Sequence, residues 1–62
     1  MSEKTVWRFP TVAARTGLSH STIYRLMARD EFPQSFALGA NSVGWLADEI
    51  EQWIIDRALS RV

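Results

Sequence analysis

One short run of this sequence gathers side chains able to read another molecule: Ser19-His20-Ser21-Thr22, then Tyr24 and Arg25, with Arg29 a turn further on. Hydroxyls, an imidazole and a guanidinium fork are what base edges and phosphates accept, and Arg can fork onto guanine. The same residues do not compose a catalytic site. His20 is the single histidine, and on a helix its i+3 and i+4 neighbours are Ile23 and Tyr24, so no carboxylate completes a nucleophilic triad. Asp48, Glu49 and Glu51 could imitate a carboxylate pair, but clustered at a helix start they are explained by the helix dipole. With no Cys and one His, a tetrahedral zinc site and a disulfide are both excluded. Gly17, Gly39 and Gly44 are too scattered to cradle a phosphate. The expectation is a binding protein that is not an enzyme and uses no cofactor and no metal.

The elements that must position these residues can be read from spacing. Pro10 suits a first helical turn, and Phe9, Val12, Ala13 and Thr16 fall on one face of a brief helix that stops at Gly17. Ser19 is a good N-cap for a second helix, whose Ile23, Leu26 and Met27 share an inner face and which must end before Pro33. Two helices crossing over so short a turn need a small residue where they touch, tolerance of positive φ in the turn, and hydrophobic anchors on the second helix. Ala13, Gly17 and Ile23 with Leu26 meet those needs, which predicts a helix-turn-helix. His20, Ser21, Thr22, Tyr24, Arg25 and Arg29 then lie outside or at the margins. Tyr24 either packs on a sugar-phosphate backbone or closes the edge of the core.

Beyond the exit at Asp30-Glu31-Phe32-Pro33, Phe36 and Leu38, then Val43 and Trp45, alternate at period two around Gly39-Ala40-Asn41-Ser42. This predicts a hairpin with a four-residue loop and an apolar face joining the core. The last segment is read as a helix with Asp48 as N-cap, Glu51 completing a capping box, and an inner stripe of Ile50, Trp53, Ile54 and Ala58. Trp7, Trp45 and Trp53 each fall on an apolar face and are assigned to the core rather than to a stacking platform for single strands. The fold class expected is mainly α with a small β-hairpin, a winged helix-turn-helix.

Charge is distributed unevenly. The formal net charge is zero, but residues 1–29 hold five basic side chains against one acidic, and residues 30–62 hold two against six. From Thr5 to Ala28 there is no Asp or Glu, whereas a solvated helix face ordinarily mixes both signs. A dipolar chain can present a basic face to phosphate despite a zero total. Two blander readings stand beside this one: an αα-hairpin whose outer face merely meets water, and a protein-interaction module that docks its acidic helix, Asp48 to Asp56, onto a basic partner.

The chain has 62 residues, 47% hydrophobic and 23% charged, which suits one small domain held by packing alone. The expected division is a flexible amino end over residues 1–6 and a single domain over residues 7–60. No run approaches the ~18 apolar residues of a membrane span, and Met1-Ser2-Glu3-Lys4-Thr5 has no signal-peptide core, so a cytoplasmic location is expected.

Trp7-Arg8-Phe9-Pro10, Thr16-Gly17-Leu18-Ser19-His20-Ser21-Thr22-Ile23-Tyr24-Arg25-Leu26-Met27, Phe32-Pro33, Leu38-Gly39, Val43-Gly44-Trp45 and Glu49-Ile50-Glu51-Gln52-Trp53-Ile54 occur in an order that resembles the AlpA family of phage and prophage regulators. The resemblance covers roughly residues 7–57. It implies a fold similar to MerR-type winged helices and phage excisionases, with residues 20–29 in the major groove and residues 39–42 as a wing on the neighbouring backbone. It also implies either transcriptional activation of integrase-linked genes or an excisionase role, bending attachment-site DNA. Ser19, Ser21, Thr22 and Arg25 coincide with the family's recognition positions. His20, Asn41 and Leu46 stand where the family usually has Arg, a basic wing residue and Arg.

These readings converge on a double-stranded DNA-binding regulator. Arg25, His20, Ser21 and Thr22 are expected at bases, Arg8, Arg15 and Arg29 at phosphates, and Ser19, Tyr24, Asn41 and Ser42 in support. One module buries only ~600–1,000 Å² on DNA, so cooperative self-association or a partner such as an integrase or RNA polymerase is expected as well.

Overall fold

The computed structural model describes residues 4–61, in the order β1 (Val6–Arg8), α1 (Phe9–Thr16), α2 (His20–Ala28), β2 (Phe36–Gly39), β3 (Ser42–Leu46) and α3 (Ala47–Leu59). Residues 1–3, the rest of the expected loose amino end, lie outside the described residues.

The helix pair forms as its sequence dictates. Pro10 sits in the first turn of α1, and Gly17 ends that helix at φ 74° with its amide donating to the Ala13 carbonyl at 2.8 Å. A side chain at that φ would crowd the backbone, which is why glycine stands there. The Thr16 hydroxyl donates to the Val12 carbonyl and accepts from the Leu18 amide, which ties the turn to the last residues of α1. Ser19 caps α2 by accepting from the Thr22 amide at 3.3 Å. Val12 and Ile23 are fully buried with Phe32, Trp45 and Ile50, and Leu26, Met27, Trp53 and Ile54 pack around them.

The end of α2 carries a less expected feature. Asp30 adopts φ 60°, its amide donates to the Met27 carbonyl at 3.0 Å, and the Glu31 amide donates to the Leu26 carbonyl at 2.8 Å. This is a Schellman motif with aspartate in the left-handed position usually held by glycine. It turns the chain so that Phe32 enters the core and the Glu31 and Pro33 carbonyls accept from the indole N–H groups of Trp53 (2.9 Å) and Trp45 (2.8 Å).

The sheet departs from expectation in three ways. It has three antiparallel strands in the order β1-β3-β2, because Val6, Trp7 and Arg8 pair with Leu46, Trp45 and Gly44. A three-residue strand, Val6–Arg8, is too short for periodicity to reveal. Second, the hairpin loop is two residues, Ala40 and Asn41, with Gly39 opposite Ser42 and an irregularity at Leu38. Third, Phe36 and Leu38 do not join the core. Phe36 faces Gly44, one residue out of step with Trp45, and in a strand one residue means the opposite face. Phe36 and Leu38 therefore stand 40% and 44% exposed, while Val43 and Trp45 point inward.

The expected capping box of α3 is also corrected. The helix begins at Ala47 directly from β3, with Leu46 at the N-cap and no side-chain cap bond. The Ala47 amide donates instead to the Thr5 carbonyl at 2.8 Å, so the extension of β1 satisfies the helix start. Asp48 lies within the first turn and pairs with Lys4 at 3.2 Å. The inner stripe is as read: Ile50 is buried, and Trp53, Ile54 and Ala58 are half-buried. No helix among the described residues is long and apolar enough to cross a membrane.

Candidate nucleic-acid interface

The outer face of α2 and the turn of the hairpin meet across a groove of about 290 Å³ lined by Arg8, His20, Tyr24, Asn41 and Ser42, with Phe9 among its walls. Each residue arrives by a different route. His20 and Tyr24 are four apart on α2 and so share a face. Arg8 leaves the end of β1, and Asn41 and Ser42 sit at the turn into β3. The Arg8 guanidinium donates to the Ser42 hydroxyl at 3.1 Å, tying β1 to the wing across 34 residues of sequence.

Three rings build the wall beneath α2. Phe9 and Tyr24 lie nearly parallel with centroids 5.9 Å apart, and His20 sits 4.6 Å from each. Tyr24 thus stacks on Phe9, packs against His20 and leaves 40% of its surface exposed beside the groove. Phe9 was absent from the sequence-derived site; its role is to hold His20 and Tyr24 in place, and no local signal distinguishes it from other core residues.

The start of α2 carries a hydroxyl network. Ser19 Oγ donates to Thr22 Oγ1 at 2.9 Å while accepting from the Thr22 amide, and the Arg25 guanidinium donates to Thr22 Oγ1 at 3.3 Å. The side chain that caps α2 is therefore linked through Thr22 to Arg25, which is held along the first turns of the helix. Ser21 is exposed beside them. No acidic side chain lines this groove.

Six expected contact residues do not line the groove: Ser19, Ser21, Thr22 and Arg25 lie beside it along the first turns of α2, and Arg15 and Arg29 stand farther away. Arg29 is the C-cap of α2, nine residues from His20 and so roughly 13 Å along the helix. Arg15 lies on the other side of α1, its guanidinium 4.8 Å above the Trp7 ring. Among the described residues no group of three His, Cys, Asp or Glu side chains is placed to hold a metal ion.

A helix-turn-helix backed by a three-stranded sheet, with a hairpin flanking the second helix, defines a winged helix-turn-helix domain. Residues 5–58 match the family described as prophage CP4-57 regulatory protein (AlpA), and the chain belongs to that family. It is 43% identical over 54 residues to the uncharacterized protein ORF88 of Enterobacteria phage P4, covering 87% of this chain and 61% of that one. It is 34% identical over 58 residues to the DNA-binding transcriptional activator AlpA of Escherichia coli strain K12, covering 84% of this chain and 83% of that one. The chain thus spans about three fifths of the phage P4 relative.

Proposed function

We propose that this chain is a transcriptional regulator that binds double-stranded DNA through α2 and the β2–β3 wing. The observation that carries the reading is the convergence of Arg8, His20, Tyr24, Asn41 and Ser42 on one groove free of carboxylates, next to the Ser19–Thr22–Arg25 network. In this reading the first turns of α2 enter the major groove. Arg25, Ser21, Thr22 and His20 address base edges, and Arg8, Asn41 and Ser42 follow the adjacent backbone. Arg29 is suited to a phosphate at the far end of α2. Membership of a phage regulatory family and the activity named for the Escherichia coli relative support the same role. The genes controlled are, in this proposal, those of a resident phage and its integrase.

The test is fluorescence anisotropy of the chain against a mixed-sequence duplex at low and moderate salt, followed by selection of a preferred site. Binding should weaken by about 0.9 log unit per log unit of salt for each phosphate neutralised. On the selected site Arg25→Ala should cost about 1–3 kcal/mol, with the melting temperature little changed. Absence of binding at low salt refutes the proposal.

A further inference from the structure

Away from the recognition groove, Trp53 divides a face of the molecule into two halves of opposite charge. Its indole donates to the Glu31 carbonyl, Phe32 meets it edge-on at 4.8 Å, and the Arg57 guanidinium lies 4.9 Å above its ring. On one side of Trp53 a groove of about 680 Å³ runs between the exit of α2 and α3, rimmed by Asp30, Glu31, Glu49 and Asp56 with no basic residue. On the other side a groove of about 460 Å³ holds Arg15 and Arg57 around Leu18, Leu26 and Ile54 with no acidic residue. Among the described residues the ion pair between Lys4 and Asp48 involves none of these six charges. None of the six forms an ion pair among the described residues, although Gln52 donates to Asp56 at 2.9 Å and Glu51 shares a neighbouring groove with Arg15.

We infer that this face binds a second copy of the chain about a two-fold axis passing close to Trp53. A two-fold contact lays one patch against itself, so a patch must be complementary to its own rotated image. Here rotation places Arg15 and Arg57 of each copy against the four carboxylates of the other, and the complementarity is realised twice. A Trp flanked by Arg at the centre of the patch is the composition that dominates interface energetics. The chain's net charge of zero means that pairing two copies adds no overall repulsion. An unrelated basic partner fits the acidic groove alone and leaves Arg15 and Arg57 facing like charge, which is why a second copy is favoured. The association does not depend on DNA. Where the DNA reading also holds, two α2 helices related by a dyad address an inverted repeat.

The experiment is sedimentation equilibrium of the whole chain without DNA at about 0.05 and about 0.5 M salt, where screening lengths differ roughly threefold. A monomer–dimer equilibrium is expected, with a dissociation constant at least about tenfold weaker at the higher salt. The pair Arg15→Glu with Arg57→Glu, and separately the pair Glu49→Lys with Asp56→Lys, should each give monomers. An equimolar mixture of the two variants should restore a one-to-one dimer, because each then supplies what the other lacks. Near-UV circular dichroism verifies folding, and if a reversed variant unfolds, the neutral Arg57→Gln and Asp56→Asn should each weaken association several-fold. A wild-type chain that stays monomeric at low salt overturns the inference. So do folded variants that dimerise like the wild type, and so does a mixture that yields no heterodimer.

Discussion

Replacing Asp30 tests how the end of α2 is held. Asp30 sits at φ 60° with both Schellman hydrogen bonds formed, so the backbone there is committed to the left-handed region. That region disfavours an L side chain by roughly 1–2 kcal/mol, somewhat less for Asp, and glycine escapes the penalty. Glycine in turn gains unfolded-state entropy of about 0.4–1 kcal/mol, which opposes the benefit. Asp30→Gly also removes a negative charge from the C-terminal end of α2, where the dipole disfavours it. The net expectation is a stabilisation of about 0.5–1 kcal/mol, or a melting temperature higher by roughly 2–8 °C for a domain of this size. Thermal unfolding followed by circular dichroism measures it. Asp30→Asn removes the charge and keeps tolerance of the left-handed region, whereas Asp30→Ala removes the charge and keeps the strain. The expected order of stability is Gly above Asn, and Ala below both. If Ala and Gly raise the melting temperature equally, the effect is electrostatic and the backbone reasoning is wrong.

Other expectations follow from the same structure. Ser19→Ala removes the acceptor for the Thr22 amide and should destabilise the domain by about 1 kcal/mol in chemical denaturation. Trp45→Ala empties the centre of the core and strips the Pro33 carbonyl of its donor, so a loss of about 3–5 kcal/mol should leave little folded protein in a denaturant titration. Gly44→Ala puts a Cβ 2.7 Å from Val6 Cγ1 and 2.9 Å from Leu38 Cδ1; because both side chains are partly exposed and can shift, the cost should stay near about 1 kcal/mol, and Gly44→Val should cost more. Ser42→Ala deletes the acceptor for Arg8, and under the DNA reading it should weaken duplex binding with a change in melting temperature too small to explain it, as anisotropy and calorimetry together can show.

What the sequence by itself determined lies where the governing interactions are local. Gly17 ends α1 and Ser19 starts α2 because each acts on backbone groups within four residues. The stripes Val12–Ala13, Ile23–Leu26–Met27 and Ile50–Trp53–Ile54 could be read because helical spacing alone puts them on one face. The hydroxyl-rich start of α2 was legible for the same reason.

Tertiary structure decided whatever depends on pairing between distant segments. The strand Val6–Arg8 exists because β3 offers it partners, and α3 begins at Ala47 rather than after Asp48 because the Thr5 carbonyl is there to accept. That Phe36 lies on the face of Gly44 rather than on that of Trp45 was fixed by the register across a two-residue turn, a quantity that alternation along one strand does not contain. The groove follows the same logic: Arg8, His20 and Ser42 carry no local sign of one another. The two charge halves around Trp53 arise only when α1, the exit of α2 and α3 are packed together. Composition specified the charges, and packing decided which of them stand side by side, because electrostatic and hydrogen-bonding partners are set by distance in space rather than along the chain.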